Sequence, residues 1–311
     1  MPQEAHNHSG ETKENRLKLA LLSLEGLSVG DAFGECFFCE DWLAQGRIDA
    51  RLKPPPPWFL TDDSIMAMSI VETLAKHGRI EQNDLATRFA TRYKREPGRG
   101  YGSTARRILS AIASGVDWRI AASSAFDGQG SMGNGGAMRA GPIGAYFAEA
   151  FDEVVEQAKL SAEVTHTHPE GQAGAIAVAV AAAWAARRRL SGRAVFGREL
   201  MECVIEFTPE GETRWRLAKA MQIPFECEAR TVAASVGSGN EVLALDTVPF
   251  AIWCAARHLD SFADALWTTV SGLGDRDTTC AMVGSIVALS VGHASMPADW
   301  RAAREPLKLD L

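Results

Sequence analysis

The chain of 311 residues is long enough to bury one substantial core unaided, and its 46% apolar and 23% charged residues are those of an ordinary globular protein. That balance excludes a largely disordered chain and a bundle of membrane helices. A formal net charge of −7 and a pI near 5.6 speak against unspecific binding to nucleic acid or to an anionic membrane through a basic surface.

In chain order, residues 1–13 are polar and lack an apolar run, so they read as a disordered tail rather than a signal peptide or anchor, and a cytoplasmic protein is expected. Leu17, Leu21, Leu24 and Leu27 then keep a helical rhythm that ends at Gly30-Asp31. Cys36 and Cys39 form a lone Cys-x-x-Cys; with no second pair to complete a zinc site, all six cysteines are expected as reduced thiols. Pro54 to Pro57 cannot continue a helix, so the stretch from Ala50 to Trp58 is an extended connector. Thr61-Asp62-Asp63-Ser64 follows and leads an apolar helical run to Leu74. Further helices are expected around 82–94, 103–114, 136–148, 152–164, 170–189, 194–206, 212–221, 229–235, 246–258, 261–271 and 279–292. Ala173 to Ala186 is apolar throughout but falls short of the ~20 residues that span a bilayer, so it reads as a buried central helix. Alternating strand patterns, linkers and repeats of 33 to 45 residues are all lacking. The expectation is a compact, single-domain, all-α fold over residues 14–300, with a C-terminal tail at 301–311.

Two acidic clusters lie more than two hundred residues apart, Thr61-Asp62-Asp63 and Gly274-Asp275-Arg276-Asp277-Thr278, each at the entrance to an apolar helix. Either alone can be a helix cap with favourable first-turn carboxylates. Together their oxygen donors suit a pair of hard divalent cations, Mg²⁺ first and Mn²⁺ or Ca²⁺ as alternatives, better than zinc. Between them runs a glycine-rich loop from Gly128 to Gly136 whose amides, with the following helix, can cradle phosphate. It is neither a Walker loop nor a dinucleotide fingerprint. Of the histidines at the mouth of the alanine-rich helix, His166 reads as a substrate contact or an ordinary core residue, and His168 as a loop or capping residue.

The segments Gly26 to Gly34, Thr61-Asp62-Asp63, Gly133-Asn-Gly-Gly-Ala-Met-Arg139, Thr165-His166 and Gly274-Asp-Arg-Asp-Thr278 resemble, in the same order, the ADP-ribosylglycohydrolase family. Val248-Pro249-Phe250-Ala-Ile-Trp253 adds to the likeness, which runs from about residue 17 to residue 292. The resemblance implies an orthogonal helical bundle with a binuclear Mg²⁺ or Mn²⁺ centre that removes ADP-ribose from a protein side chain or small adduct. By position, Thr61, Asp62, Asp63, Asp275, Asp277 and Thr278 match the metal ligands. Ser131, Met132, Gly133, Asn134, Gly135 and Gly136 match the loop around the diphosphate and adenosine, with Met132 where some relatives carry an adenine-stacking aromatic. His166 matches a histidine near the phosphates and distal ribose.

Two departures stand out. Arg276 replaces the threonine often found between the two aspartates, and Phe38 stands where some relatives carry a glutamate, seven residues after Asp31. Asp63 and Glu35 are therefore the candidates for handling the proton of water or leaving group. The resemblance implies a metal-dependent hydrolase, monomeric, acting on ADP-ribosylated partners. The rival reading is a non-catalytic ADP-ribose reader, or a toxin-neutralising partner, on the same fold.

Overall fold

Three glycines spaced four residues apart decide how the first helix meets the rest of the chain. In the computed structural model, which describes residues 3–311 and side chains from Lys13 onward, helix α1 (Gln3–Glu35) presents Gly26, Gly30 and Gly34 to the last long helix. A Cβ added at Gly30 would stand 2.0 Å from the Cys280 carbonyl oxygen, and one at Gly34 2.2 Å from that of Arg276. Only glycine lets the two backbones touch in this way.

The intervening elements are α2 (Asp41–Asp49), α3 (Asp62–His77), α4 (Gln82–Arg95), α5 (Ser103–Ala113), α6 (Trp118–Ser123), α7 (Gly141–Tyr146) and α8 (Phe151–Glu163). The chain continues through α9 (Pro169–Leu190), α10 (Gly197–Phe207), α11 (Glu212–Met221), α12 (Ala229–Val236), α13 (Ala244–Arg257), α14 (Phe262–Val270), α15 (Arg276–Val291) and α16 (Ala298–Ala303). Among the described residues there is no strand, only the isolated bridges Trp58 to Arg304 and Gly133 to Leu243. No helix of the described residues is long and apolar enough to cross a membrane.

The alanine-rich α9 is buried along most of its length and is packed by α7, α8, α10, α13 and α15. Its small side chains let neighbours approach closely: a Cβ at Gly144 would collide with the Ala179 carbonyl. One apolar cluster reaches from Ala20 to Ala303, in keeping with a single unit. Beneath the end of α1, Phe33 stacks on Trp300 at 4.6 Å and meets Trp267 edge-on at 4.9 Å and Phe37 at 5.0 Å. That aromatic floor ties α1, α14 and α16 together.

The structure departs from the sequence-based expectation at several places. The α1 backbone is helical from Gln3, inside the segment expected to be a tail; a polar sequence can extend a helix already anchored by the buried Leu24 and Leu27. The segment 301–311 is not loose either. Glu305 N donates to the Trp58 carbonyl at 2.9 Å, Arg99 pairs with Glu305 at 2.9 Å, and Asp310 N donates to buried Glu72 at 2.9 Å. The helix expected over 136–148 is a 3-10 turn (Asn134–Gly136) followed by α7, because Pro142 has no N–H and fits a first helical turn. Helices α2, α6 and α16 fall outside the expected set.

Candidate active site

Thr61 is the N-cap of α3, its side chain accepting from Asp63 N at 3.3 Å, and Asp62 and Asp63 fill the first turn where the helix dipole favours anions. Asp275 caps α15, with Asp277 and Thr278 in its first turn. Because α1 packs against both helices, the two caps meet. Thr278 Oγ1 lies 3.5 Å from Asp63 Oδ2, across 215 residues of sequence.

Asp31 makes that meeting possible, although the sequence reading gave it no role. Fully buried on α1, it accepts from Thr61 N at 3.1 Å, Thr61 Oγ1 at 2.7 Å, Ser64 N at 3.2 Å and the Ser64 hydroxyl. The single Thr61 hydroxyl proton goes to Asp31 in preference to Asp63 Oδ2, which lies farther off at 3.2 Å. The Thr61 oxygen keeps a lone pair for another partner. The Gly30-Asp31 pair at the end of the leucine rhythm was the available signal.

Burial and mutual repulsion raise the pKa values of Asp31, Asp62, Asp63 and Asp277. Burial lifts Asp31 to about 6 against its four donors. Asp62 rises to about 7, through burial first and Asp31 second. Asp63 and Asp277 are also raised well above the usual range, by burial and then by the neighbouring aspartates. Asp63 Oδ1 is buried with no hydrogen-bond partner, an uncompensated acceptor that costs free energy unless something positive meets it. Arg139, the cation bearing on Asp62 and Asp63, directs its guanidinium elsewhere. The donor set of carboxylates and hydroxyls therefore fits hard divalent cations. Among the described residues no three His, Cys, Asp or Glu groups stand together tightly enough to grip an ion unaided.

A cavity of about 620 Å³ opens from this cluster. Asp62, Asp63, Asp275, Asp277 and Thr278 line one part of it, and Ser131 to Gly135 with His166 line another. Two larger depressions, of about 820 and 790 Å³, lie elsewhere, and their lining residues include none of this acidic cluster.

Three expected residues take other positions. Gly136 does not line the cavity; it packs on Ala162 and Gly171. Asn134 lines it, yet its side-chain amide is spent on Asp275 Oδ2 at 2.7 Å and Thr247 Oγ1 at 3.1 Å, so it braces the second cluster. Glu35 opens with Phe59, Thr61, Glu96 and Gly100 into a neighbouring cavity of about 440 Å³. It is only partly exposed, and burial first, then Asp31 and Asp275, raise its pKa. Within the loop, Gly133 N is engaged by Ser131 Oγ and Asn134 N by the Val242 carbonyl. Among the described residues, the amides of Ser131, Met132 and Gly135 have no protein partner.

Phe126 and Val242 also line the cavity and were missed. Both are exposed and both hold left-handed backbone, at φ 50° and 58°, a strained arrangement for residues with a Cβ. The aromatic directly ahead of the Asp127-Gly128 turn was the signal. His168 caps α9 as expected, Nδ1 accepting from Glu170 N at 3.1 Å. Cys36 donates to the Ala32 carbonyl, and burial pushes its thiol up to about 12.

The two departures noted in the sequence meet in space. Arg276 is buried, donates to the Phe37 carbonyl at 2.8 Å, pairs with Asp41, and lies 5.3 Å from the Phe38 ring centre. Its guanidinium is thus held on the loop after α1.

Comparison with known proteins gives the family and the fold. A sequence model described as ADP-ribosylglycohydrolase matches residues 11–310. The ADP-ribosylhydrolase ARH3 of Bos taurus is 31% identical over 323 residues, covering 91% of this chain and 87% of that protein. The ARH3 of Homo sapiens is 29% identical over 322 residues, covering 91% and 88%. The ADP-ribosyl-[dinitrogen reductase] glycohydrolase of Rhodospirillum rubrum is 26% identical over 294 residues, covering 90% and 88%. A solved chain from an ADP-ribosylglycohydrolase-related protein complex shares the fold, with a TM-score of 0.66 over 94% of both chains at 22% identity. With a family match that spans nearly all of its length, the chain belongs to the ADP-ribosylglycohydrolase family.

Proposed function

We propose that the protein is a metal-dependent hydrolase that cleaves the glycosidic bond between ADP-ribose and an acceptor, a protein side chain or small adduct, and releases free ADP-ribose. The observation that carries this reading is the meeting of two distant acidic helix caps at a cavity whose wall is a glycine-rich loop with unengaged amides.

Thr61, Asp62, Asp63, Asp275, Asp277 and Thr278 would hold two divalent cations, with Mg²⁺ the first choice. When bound, such ions supply positive charge for the ribose hydroxyls and lower the pKa of water. The amides of Ser131, Met132 and Gly135 face the diphosphate, so binding energy remote from the reacting bond orients it. Phe126 offers an aromatic face at the cavity wall for adenine, beside Met132. Asp63, with one buried oxygen unpartnered, accepts the proton of the attacking water.

A non-catalytic reader of ADP-ribose is favoured by one observation, the phenylalanine at position 38. The same assay separates the two readings: release of ADP-ribose from ADP-ribosylated peptides and from small adducts, with Mg²⁺ and with a chelator. Mg²⁺-dependent release is expected. Tight ADP-ribose binding without release on any linkage would establish the reader.

A further inference from the structure

We infer that Arg139 and Thr165 act as positioning residues that hold His166 in the neutral tautomer protonated at Nε2, so that His166 meets the ligand as a hydrogen-bond donor and not as a base.

The argument starts from Thr165, which is 1% exposed and must satisfy its hydroxyl inside the protein. Arg139 is wholly buried, its guanidinium 4.5 Å from the Phe89 ring centre, and its Nη2 donates to the Ser161 carbonyl at 3.0 Å and to Thr165 Oγ1 at 2.8 Å. A guanidinium has no acceptor, so the direction of that second bond is fixed. The Thr165 oxygen receives from Arg139 and has one proton to give. His166 Nδ1 stands 2.7 Å away and is the one acceptor for that proton among the described residues. If Nδ1 carried the hydrogen instead, the Thr165 proton would be buried without a partner, an arrangement that costs about 1–3 kcal/mol. Nδ1 is therefore the acceptor, and the ring's own hydrogen sits on Nε2.

The glycine loop then explains where that hydrogen points. A Cβ added at Gly133 would lie 3.3 Å from His166 Nε2, and one at Gly135 would lie 2.9 Å from Cε1 and 3.2 Å from Nε2. A side chain at either position would cover the ring edge. With glycine at both, Nε2–H faces the cavity beside the unengaged loop amides and joins them as a neutral donor to anionic oxygen. Burial and the Arg139 charge pull the His166 pKa down to about 3, which keeps the ring neutral across the physiological range.

The ligand part of this inference rests on the cavity being an ADP-ribose site, whereas the tautomer does not. The test is a long-range ¹H–¹⁵N spectrum of the imidazoles in ligand-free protein, with His166 assigned by its loss in His166→Gln. Wild type is expected to show the hydrogen on Nε2, Thr165→Ser to keep it, and Thr165→Val to populate the other tautomer or both. Melting curves confirm that each variant is folded. Addition of ADP-ribose should shift the Nε2–H resonance, and Thr165→Val should weaken ADP-ribose binding about tenfold while Thr165→Ser stays within about twofold. Hydrogen on Nδ1 in wild type, or an unchanged tautomer in Thr165→Val, overturns the relay. Absence of any ADP-ribose binding to wild type overturns the donor role and the proposed function, and leaves the tautomer result to decide the relay alone.

Discussion

The acidic cluster and the rim beyond it are built in opposite ways. The cluster rests on the first turns of two long buried helices, braced by Asp31 and Asn134 and floored by the aromatic contacts of Phe33. The rim, from the end of α1 through α2 to the proline connector, exposes Phe38, Trp42, Leu52 and Phe59. Helix ends locked by packing hold groups at fixed positions, whereas loops tolerate substitution. On the proposed function, the contrast would separate what any cleavage of ADP-ribose needs from what can differ with the acceptor.

The strongest way to break the contrast is to strike the braced half. Asp62→Asn combined with Asp275→Asn should lower ADP-ribose release by more than about 10³-fold, measured by product formation at saturating Mg²⁺, with helical content retained. Retained turnover would move the chemistry away from the helix caps.

Removing metal should come next. Asp31 and Asp62 hold protons more tightly in the folded protein than in the unfolded chain, with folded pKa values of about 6 and about 7 against an ordinary aspartate value of 3.8. Their contribution to stability is fully present below the unfolded pKa and is lost as pH rises through about 6 to 7. Metal-free protein should therefore melt at a higher temperature in mild acid than at alkaline pH. Added Mg²⁺ should raise the alkaline melting temperature and flatten the profile; a profile unaffected by Mg²⁺ and Mn²⁺ would count against the ligand set. Metal analysis at saturation should find two ions per chain.

A smaller effect is expected at the cavity wall, where Phe126→Ala should weaken ADP-ribose binding by roughly tenfold in calorimetry, the worth of one stacked base. The smallest belongs to the rim. Glu35→Gln should leave the turnover rate within about threefold of wild type, because its exposed carboxyl opens to the neighbouring cavity. A fall of about 10²-fold or more would instead give Glu35 the leaving-group proton and erase the distinction between braced core and permissive rim.

Periodicity made many of the helices legible: α4, α8, α9, α11 and α12 fall within a residue or two of their expected spans. The acidic caps were legible as motifs, though α15 begins at Arg276 rather than 279, so its aspartates belong to the helix end itself. Less visible were α6 and α16, at six residues too short for a 3.6-residue rhythm to repeat, and α2, which buries only Ala44 and Ile48. The roles of Asp31, Asn134 and Arg139 stayed hidden as well, because they are contacts across 26 to 141 residues that spacing along the chain does not encode.

The glycine contact between α1 and α15 also sets when a working site can exist. Gly30 and Cys280 are separated by 250 positions, and at about 5–20 residues per second a ribosome needs roughly 12–50 s to travel between them. Until α15 emerges, the glycine stripe has no surface to close against and Asp63 has no Thr278 beside it. The last long helix of the described residues completes the acidic cluster, so its two halves meet only after α15 has been made.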